Sequence, residues 1–480
     1  MRKLYTSVVA VLSLLYLPAA SQKIQYSRQS AIVNYPDAMQ LVSNIGGYHH
    51  LLGLAYKKKP AIYIFDQQLK FISKKEFPFK LASNADFKVI PIADFYYLYI
   101  HIPNTTLHEL WKIDREGNAR SLTPAFKQVI SAEFVKGNGS LQLTAMDSHL
   151  CVVSHTYYKA LEKVASILIH VDTAMTVTWK KSVSYVFGSY DRLQQVNVIS
   201  KREMLLLKSS RDGINFALEM LKVNLDSGVV IGTTFNSVAN MYTQANFNYN
   251  RDDSSVTVYA LVRDSYYGGR VRTIFISQLD KYLHEKKPLV TLRTQFRNNT
   301  NTNFLLLNGS SPHWIPMNGG PMGIPTVINQ VNRSQFDNYV DYIAGGGQPM
   351  LSGNRFAVRG APAIPTAVRF SLLDEQLKVA SDSLFANDKD KYNLEPRRFT
   401  RFMVRNKSYL LVGQHFTGNR KGLFMVSGSA ANMLETTDVR VNDKYDYMLN
   451  QLQPLTEDAV IMPYLSKREA GLVKLTFNEE

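Results

Sequence analysis

The chain reads as an all-β protein, and three observations predict it. Short runs rich in Ile, Val, Leu, Tyr and Phe alternate with turn residues along nearly all of its 480 residues. Long helical periodicity is scarce. One unit recurs, in which an apolar strand ends at an aspartate and a tight turn leads into a second strand.

The copies of that unit are 61–66, 110–114, 167–172, 220–226, 274–280 and 368–374, ending at Asp66, Asp114, Asp172, Asp226, Asp280 and Asp374. A seventh, 423–428, ends at Gly428 instead. Aspartate suits such turns because its carboxylate accepts hydrogen bonds from backbone N–H groups just downstream. Two further strand candidates precede most copies, for example 141–145 and 149–154 before Asp172, and 399–404 and 409–412 before Gly428. Four strands in about 50 residues, repeated, form a unit that cannot bury both faces of its sheet alone.

The chain ends one strand short of such a unit, at 470–477, and spare strand candidates lie near its start, at 23–26 and 31–35. This pattern resembles the β-propeller superfamily across essentially the whole chain after its leader, without identifying a family within it. The resemblance implies sheets arranged radially about a channel, with ligands commonly bound at one mouth. Seven hairpins plus the terminal strands predict eight blades, with seven as the alternative, and a ring closed where the N- and C-terminal strands pair.

The copies are spaced by 48 to 58 residues, except for 94 between Asp280 and Asp374. Residues 297–365 fill that interval and are rich in Asn, Gly, Pro and Ser, which predicts a loop-rich insertion into a single domain covering 22–480.

Residues 1–21 read as a secretory signal peptide. Arg2 and Lys3 precede an apolar run over 8–17, and Ala19-Ala20-Ser21 supplies small residues before a cleavage point. The run is about half the ~20 residues a bilayer-spanning helix needs, and no later stretch is long and apolar enough, so no membrane span is expected. The chain is expected to be exported, to a periplasmic or extracellular location. Cys151 is the sole cysteine, which excludes an intrachain disulfide and a Cys-rich metal site.

A formal net charge of +16 attracts anionic partners. Export makes nucleic acid the less natural one and points to anionic ligands, glycans or a partner protein. Many of the charges, such as Lys57-Lys58-Lys59 and Lys286-Lys287, sit beside turns or strand ends, where they also blunt sheet edges.

Motifs for catalysis are missing. There is no Gly-x-Ser-x-Gly, no phosphate-binding glycine loop, no His-Glu-x-x-His and no calcium loop. No cofactor and no metal site is predicted, although His49, His50, His101, His155 and His415 all fall in or beside second strands. Alternation places Arg401 and Arg405 on one side of their strand, where guanidinium groups facing a channel would hold carboxylates or sulfates in forked geometry. Trp314, with His313 beside it in the 297–365 span, is a stacking surface for a sugar or an apolar ligand.

The sequence therefore predicts an exported, non-catalytic propeller that binds a ligand or partner protein, a glycan or envelope component, through Arg401, Arg405, His313 and Trp314. The alternative is a carbohydrate-active or other polymer-degrading enzyme with its site at the channel mouth, where Asp337 and Asp341 break the repeat.

Overall fold

The computed structural model describes most residues between 23 and 477. The longest stretches outside the described residues are 1–22, 307–321 and 331–363, and the side chains of 287–421 lie outside them too.

Among the described residues, eight antiparallel sheets follow one another along the chain. Sheet one comprises Ala38–Ile45, Tyr48–Leu54, Ala61–Asp66 and Phe71–Glu76. Sheet two comprises Asp86–Pro91, Phe95–His101, His108–Asp114 and Ala119–Ser121. Sheet three comprises Ser140–Met146, His149–Tyr158, Lys163–Val171 and Val177–Val186. Sheet four comprises Arg192–Val198, Glu203–Asp212, Asn215–Asn224 and Val230–Val238. Sheet five comprises Met241–Tyr249, Val256–Arg263, Val271–Leu279 and Glu285–Arg293. Sheet six comprises Thr302–Leu306, Met322–Gln330, Ile364–Leu373 and Val379–Ala386. In sheet seven, Tyr392–Asn393 and Phe399–Val404 share the first position, followed by Lys407–His415, Lys421–Ser429 and Asn432–Val439. In sheet eight, Asp446–Tyr447 and Gln453–Thr456 share it, followed by Ala459–Leu465 and Glu469–Thr476. The fourth place in sheet eight is taken by Lys23–Tyr26, in register Lys23↔Thr476 to Tyr26↔Val473.

Two strands of sheet six, Thr302–Leu306 and Met322–Gln330, fall within the 297–365 span; the rest of that span up to 363 lies outside the described residues.

Among the described residues the core lies between sheets, because sheets one to four and sheet eight bury apolar residues on both faces. Sheet one shares a core with sheet two, two with three, three with four and four with five. Sheet seven shares one with eight, and eight with one. Second and third strands carry most of this burial, as in Tyr48–Leu54 and Ala61–Asp66. The fourth strands of sheets one to four are more exposed, as in Phe71–Glu76, with Val183, Tyr185 and Phe235 as their buried residues. The period of two thus places apolar side chains toward the neighbouring sheets in the middle of each unit and lets them thin out at its outer edge.

Asp66, Asp114, Asp172 and Asp280 build their turns as the composition predicts, and Asp374 lies outside the described residues. Asp66 Oδ1 accepts the N–H groups of Gln68 and Lys70 at 2.9 and 2.8 Å. Asp172 does the same for Ala174 and Thr176, and Asp280 for Tyr282 and His284. Three residues after each of these aspartates the backbone is left-handed, at Leu69, Met175 and Leu283. Those three side chains are buried in the inter-sheet cores. The Asp114 copy uses Gly117 there, and a Cβ on it would come within 2.7 Å of Ile64 Cδ1. The fourth copy departs from the expectation. Asn224, not Asp226, caps the turn by accepting the N–H groups of Asp226 and Ser227, and Asp226 faces outward to pair with Lys181.

A helix, Thr123–Ser131, was not legible as part of the repeat. It buries Phe126 and Ile130 in the core between sheets two and three.

Candidate functional site

The first strands of neighbouring sheets approach one another. Ala38–Ile45 lies beside Asp86–Pro91, which lies beside Ser140–Met146; Arg192–Val198 lies beside Met241–Tyr249. Gln453–Thr456 is flanked by Phe399–Val404 and by Ala38–Ile45. A first strand is an edge strand, with backbone groups left over on one side. Side chains of adjacent first strands take them up. Gln453 Nε2 donates to the Leu41 carbonyl at 2.8 Å while its Oε1 accepts the Ser43 N–H and hydroxyl at 3.2 and 2.6 Å. Lys88 Nζ donates to the Leu143 carbonyl at 2.6 Å, and Gln195 Oε1 accepts the Phe247 N–H at 2.7 Å. These first strands therefore converge on an axis, while the fourth strands of sheets one to four carry the exposed residues.

The chain is a β-propeller. Its sheets are blades, and the first strands line the axis. Each blade has a turn end, with the capped hairpins between third and fourth strands, and an entry end, where the chain arrives and where second strands turn into third.

No protein-family model matches the chain, and no curated protein does. Among solved structures it is similar to the WD40 domain of SCAP from fission yeast, with 7% identity and a TM-score of 0.42 over 95% of this chain and 98% of that one. It is also similar to the cobalt-substituted Synechocystis enzyme ACO, with 8% identity and a TM-score of 0.38 over 88% and 94%. A subtype N10 neuraminidase-like protein of A/little yellow-shouldered bat/Guatemala/060/2010 gives 8% and 0.31 over 82% and 94%.

Of the residues expected to bind, Arg401 lies on the strand Phe399–Val404, opposite Leu410, in the first position of blade seven. Its side chain, and Arg405, His313 and Trp314 altogether, lie outside the described residues, as do Asp337 and Asp341. The histidines do not gather at one mouth. His49 and His50 sit at the turn end, where His50 Nε2 meets the Arg115 carbonyl at 2.9 Å. His101 and His155 sit at the entry end, His101 opposite Asp86 and His108, and His155 opposite Ser140 and Ser166. Among the described residues no group of three or more His, Cys, Asp or Glu is spaced to hold a metal ion.

The polar groups that do gather lie at the entry end between blades three and four. Alternation puts His155 on the same face as Cys151 and Val153, and Lys208 on the same face as Met204 and Leu206. All four of those apolar residues belong to the core shared by the two blades. His155 Nδ1 is 2.7 Å from Ser166 Oγ, which donates to the Tyr185 hydroxyl at 3.2 Å. With the serine proton committed to Tyr185, Nδ1 carries the hydrogen of the neutral ring. His155 Nε2 is buried with no hydrogen-bond partner. Burial holds this ring neutral, its pKa lowered to about 4, and pushes the Tyr185 phenol up to about 12.

In blade four, Lys208 Nζ meets Asp191 Oδ2 at 2.8 Å and Glu219 Oε1 at 3.2 Å. The Gly188 N–H donates to Asp191 Oδ2 and the Ser210 hydroxyl to Glu219 Oε1. The Lys208 and Asp191 side chains are 7% and 9% exposed, so the pair is shielded from water.

Neither constellation is poised for nucleophilic chemistry. A serine nucleophile needs its proton aimed at a histidine lone pair, and Ser166 points its proton the other way and is fully buried. Lys208, bracketed by two carboxylates, is a counter-ion rather than a free amine. Sequence reading missed this cluster because Asp191, Lys208 and Glu219 come from a link and two different strands. The available signal was a charge in phase with the apolar run Met204–Leu206, which places a lysine on a buried face.

Proposed function

We propose that the chain is an exported, closed eight-bladed propeller that binds an anionic ligand or the acidic face of a partner, a glycan or envelope component, at the axis. Arg401 and Arg405 are its forked anion contacts, and Trp314 with His313 brings a stacking surface from the 297–365 span. The observation that supports this reading most is the position of Arg401 on a first strand, beside the first strand of blade eight, where the blades converge. The formal charge of +16 favours the same class of ligand. Binding rather than turnover fits the polar cluster at the entry end, whose serine and lysine are both committed to internal pairs.

Retention of the purified chain on immobilised heparin, a sulfated glycan, tests the reading. The wild type is expected to bind with an affinity that falls as salt rises, and Arg401→Ala/Arg405→Ala to bind about tenfold more weakly with an unchanged melting temperature. Equal retention of the double variant would reject the arginine site.

A further inference from the structure

Blades three and four carry large apolar side chains on the tips of their entry-end loops. Leu161, 65% exposed, closes the short 3-10 turn between the second and third strands of blade three. Val186, 69% exposed, ends that blade's fourth strand, and Tyr190, 72% exposed, lies in the link to blade four. Ile214, 66% exposed, sits in the tight hairpin between Asp212 and Asn215. Val238, 63% exposed, ends the fourth strand of blade four, opposite Asn215. Tyr158, last in its strand, adds a half-exposed ring. These residues come from six separate positions on two adjacent blades, and strand direction and register put all of them at one end.

Their form decides what they fit. They are single protruding side chains on separate tips. A rigid protein surface would need a matching pocket for each, whereas the interfacial zone of a bilayer accepts separated apolar tips without one. Tyrosine at two of the tips suits that zone, since its ring is apolar and its hydroxyl wet.

The charge around the tips favours an anionic surface. Lys163 and Arg192 are exposed beside Leu161 and Tyr190, and Arg211 lies in the same loop set, against Glu162 and Asp212. Asp191, which would otherwise oppose negative headgroups, is turned inward onto Lys208, which it shares with Glu219. The buried ion pair thus removes a carboxylate from the face that carries the apolar tips.

We propose that the entry-end loops of blades three and four dock the propeller peripherally on a bilayer containing anionic lipid. The tips insert at headgroup depth, Lys163 and Arg192 pair with phosphates, and no segment spans the membrane. This surface involves neither Arg401 nor Arg405.

Co-sedimentation of the purified chain tests it, using vesicles of phosphatidylcholine alone and of phosphatidylcholine with phosphatidylglycerol. The wild type is expected to pellet with the mixed vesicles, less so as salt rises, and weakly with the neutral ones. Leu161→Ser/Tyr190→Ser/Ile214→Ser is expected to bind the mixed vesicles about tenfold more weakly, because apolar burial is lost while the charges stay. All three side chains are exposed, so an unchanged melting curve is expected. Wild type that does not pellet, or a triple variant that pellets equally well, overturns the proposal. So does a wild-type dimer that the triple variant abolishes without any vesicle binding, which would make the patch a contact between copies. The Arg401→Ala/Arg405→Ala variant is expected to keep its vesicle binding, so failure of the heparin reading and failure of this one are separable.

Discussion

The hydroxyls of Tyr26 and Tyr447 meet at 2.8 Å, joining residues 421 positions apart. Tyr447 donates to the Asn442 carbonyl, and the Asn442 N–H donates to Tyr26, so Tyr26 is the donor in the shared bond. Next to this triangle, Ser27 Oγ lies 3.1 Å from the Tyr464 hydroxyl, and a Cβ on Gly471 would collide with both groups. The N-terminal strand is thus held in blade eight by its ladder and by a side-chain clasp. Tyr26→Phe is expected to lower the unfolding free energy by about 1–2 kcal/mol, and Gly471→Ala by at least as much, because neither Ser27 nor Tyr464 has a flexible end to move aside. Urea titration reads both. A Gly471→Ala protein as stable as wild type would show that the N-terminal strand is not seated there.

Leu283 presents a conflict between backbone and core. Its φ of 63° is unfavourable for a residue with a Cβ, at a cost of about 1–2 kcal/mol, yet its side chain is buried between blades four and five. Leu283→Gly relieves the backbone and empties the core. Removing a buried leucine costs about 3–5 kcal/mol, so burial wins, and the variant is expected to lose about 2 kcal/mol net. A stabilised glycine variant would mean that the turn residue does not plug the interface.

Lys208 is expected to matter by its charge more than by its bulk. Lys208→Met leaves Asp191 and Glu219 facing each other in a shielded site, which is expected to cost about 3–5 kcal/mol. Adding Asp191→Asn and Glu219→Gln removes the unpaired charges and is expected to restore at least half of that loss. If the triple variant is no more stable than Lys208→Met, the ion cluster is not what the lysine supports.

How far the sequence discloses this molecule depends on whether a feature is local. The hairpins are local: an aspartate, its carboxylate bonds to the next N–H groups, and an apolar residue three positions on at Leu69, Met175 and Leu283. The Asn224 turn was misplaced by two residues because Asn caps as Asp does, and Asp226 stood close enough to pass for the cap. The helix Thr123–Ser131 has local signals, Pro124 in its first turn and Phe126, Val129 and Ile130 on one face, but a reading keyed to strands passes over them. The polar cluster between blades three and four is not local. His155 and Ser166 meet through strand pairing, and Lys208 and Asp191 through the bend of a link, so no spacing announces them. The shared strand position of the histidines brings no cluster either: all lie in second strands, but His49 lies near the start of its strand and His155 towards the end, which puts them at opposite ends of their blades.

That separation gives the protein two independent acid-sensitive points. Burial, and for His49 the neighbouring His50 as well, lowers the pKa of His49 and of His155 from 6.5 to about 4. Both rings are therefore neutral in the folded chain over a range where an unfolded chain would bind protons. Between pH 6.5 and 4 the unfolded state takes up more protons than the folded one, so stability is full above that window and falls as pH descends through it. Each ring contributes on the order of 3 kcal/mol to the loss by pH 4, and the sites lie in different interfaces, so the losses add. His155→Gln keeps a donor for Ser166 and removes the titration, and is expected to flatten part of the slope, the rest coming from His49 and from His50 and His108, whose pKa values burial lowers too. Unfolding free energies from urea titrations at pH 7.5, 6, 5 and 4.5 measure this. A profile flat across the window, or one that His155→Gln leaves unchanged, would show that His155 is not held as a buried neutral ring.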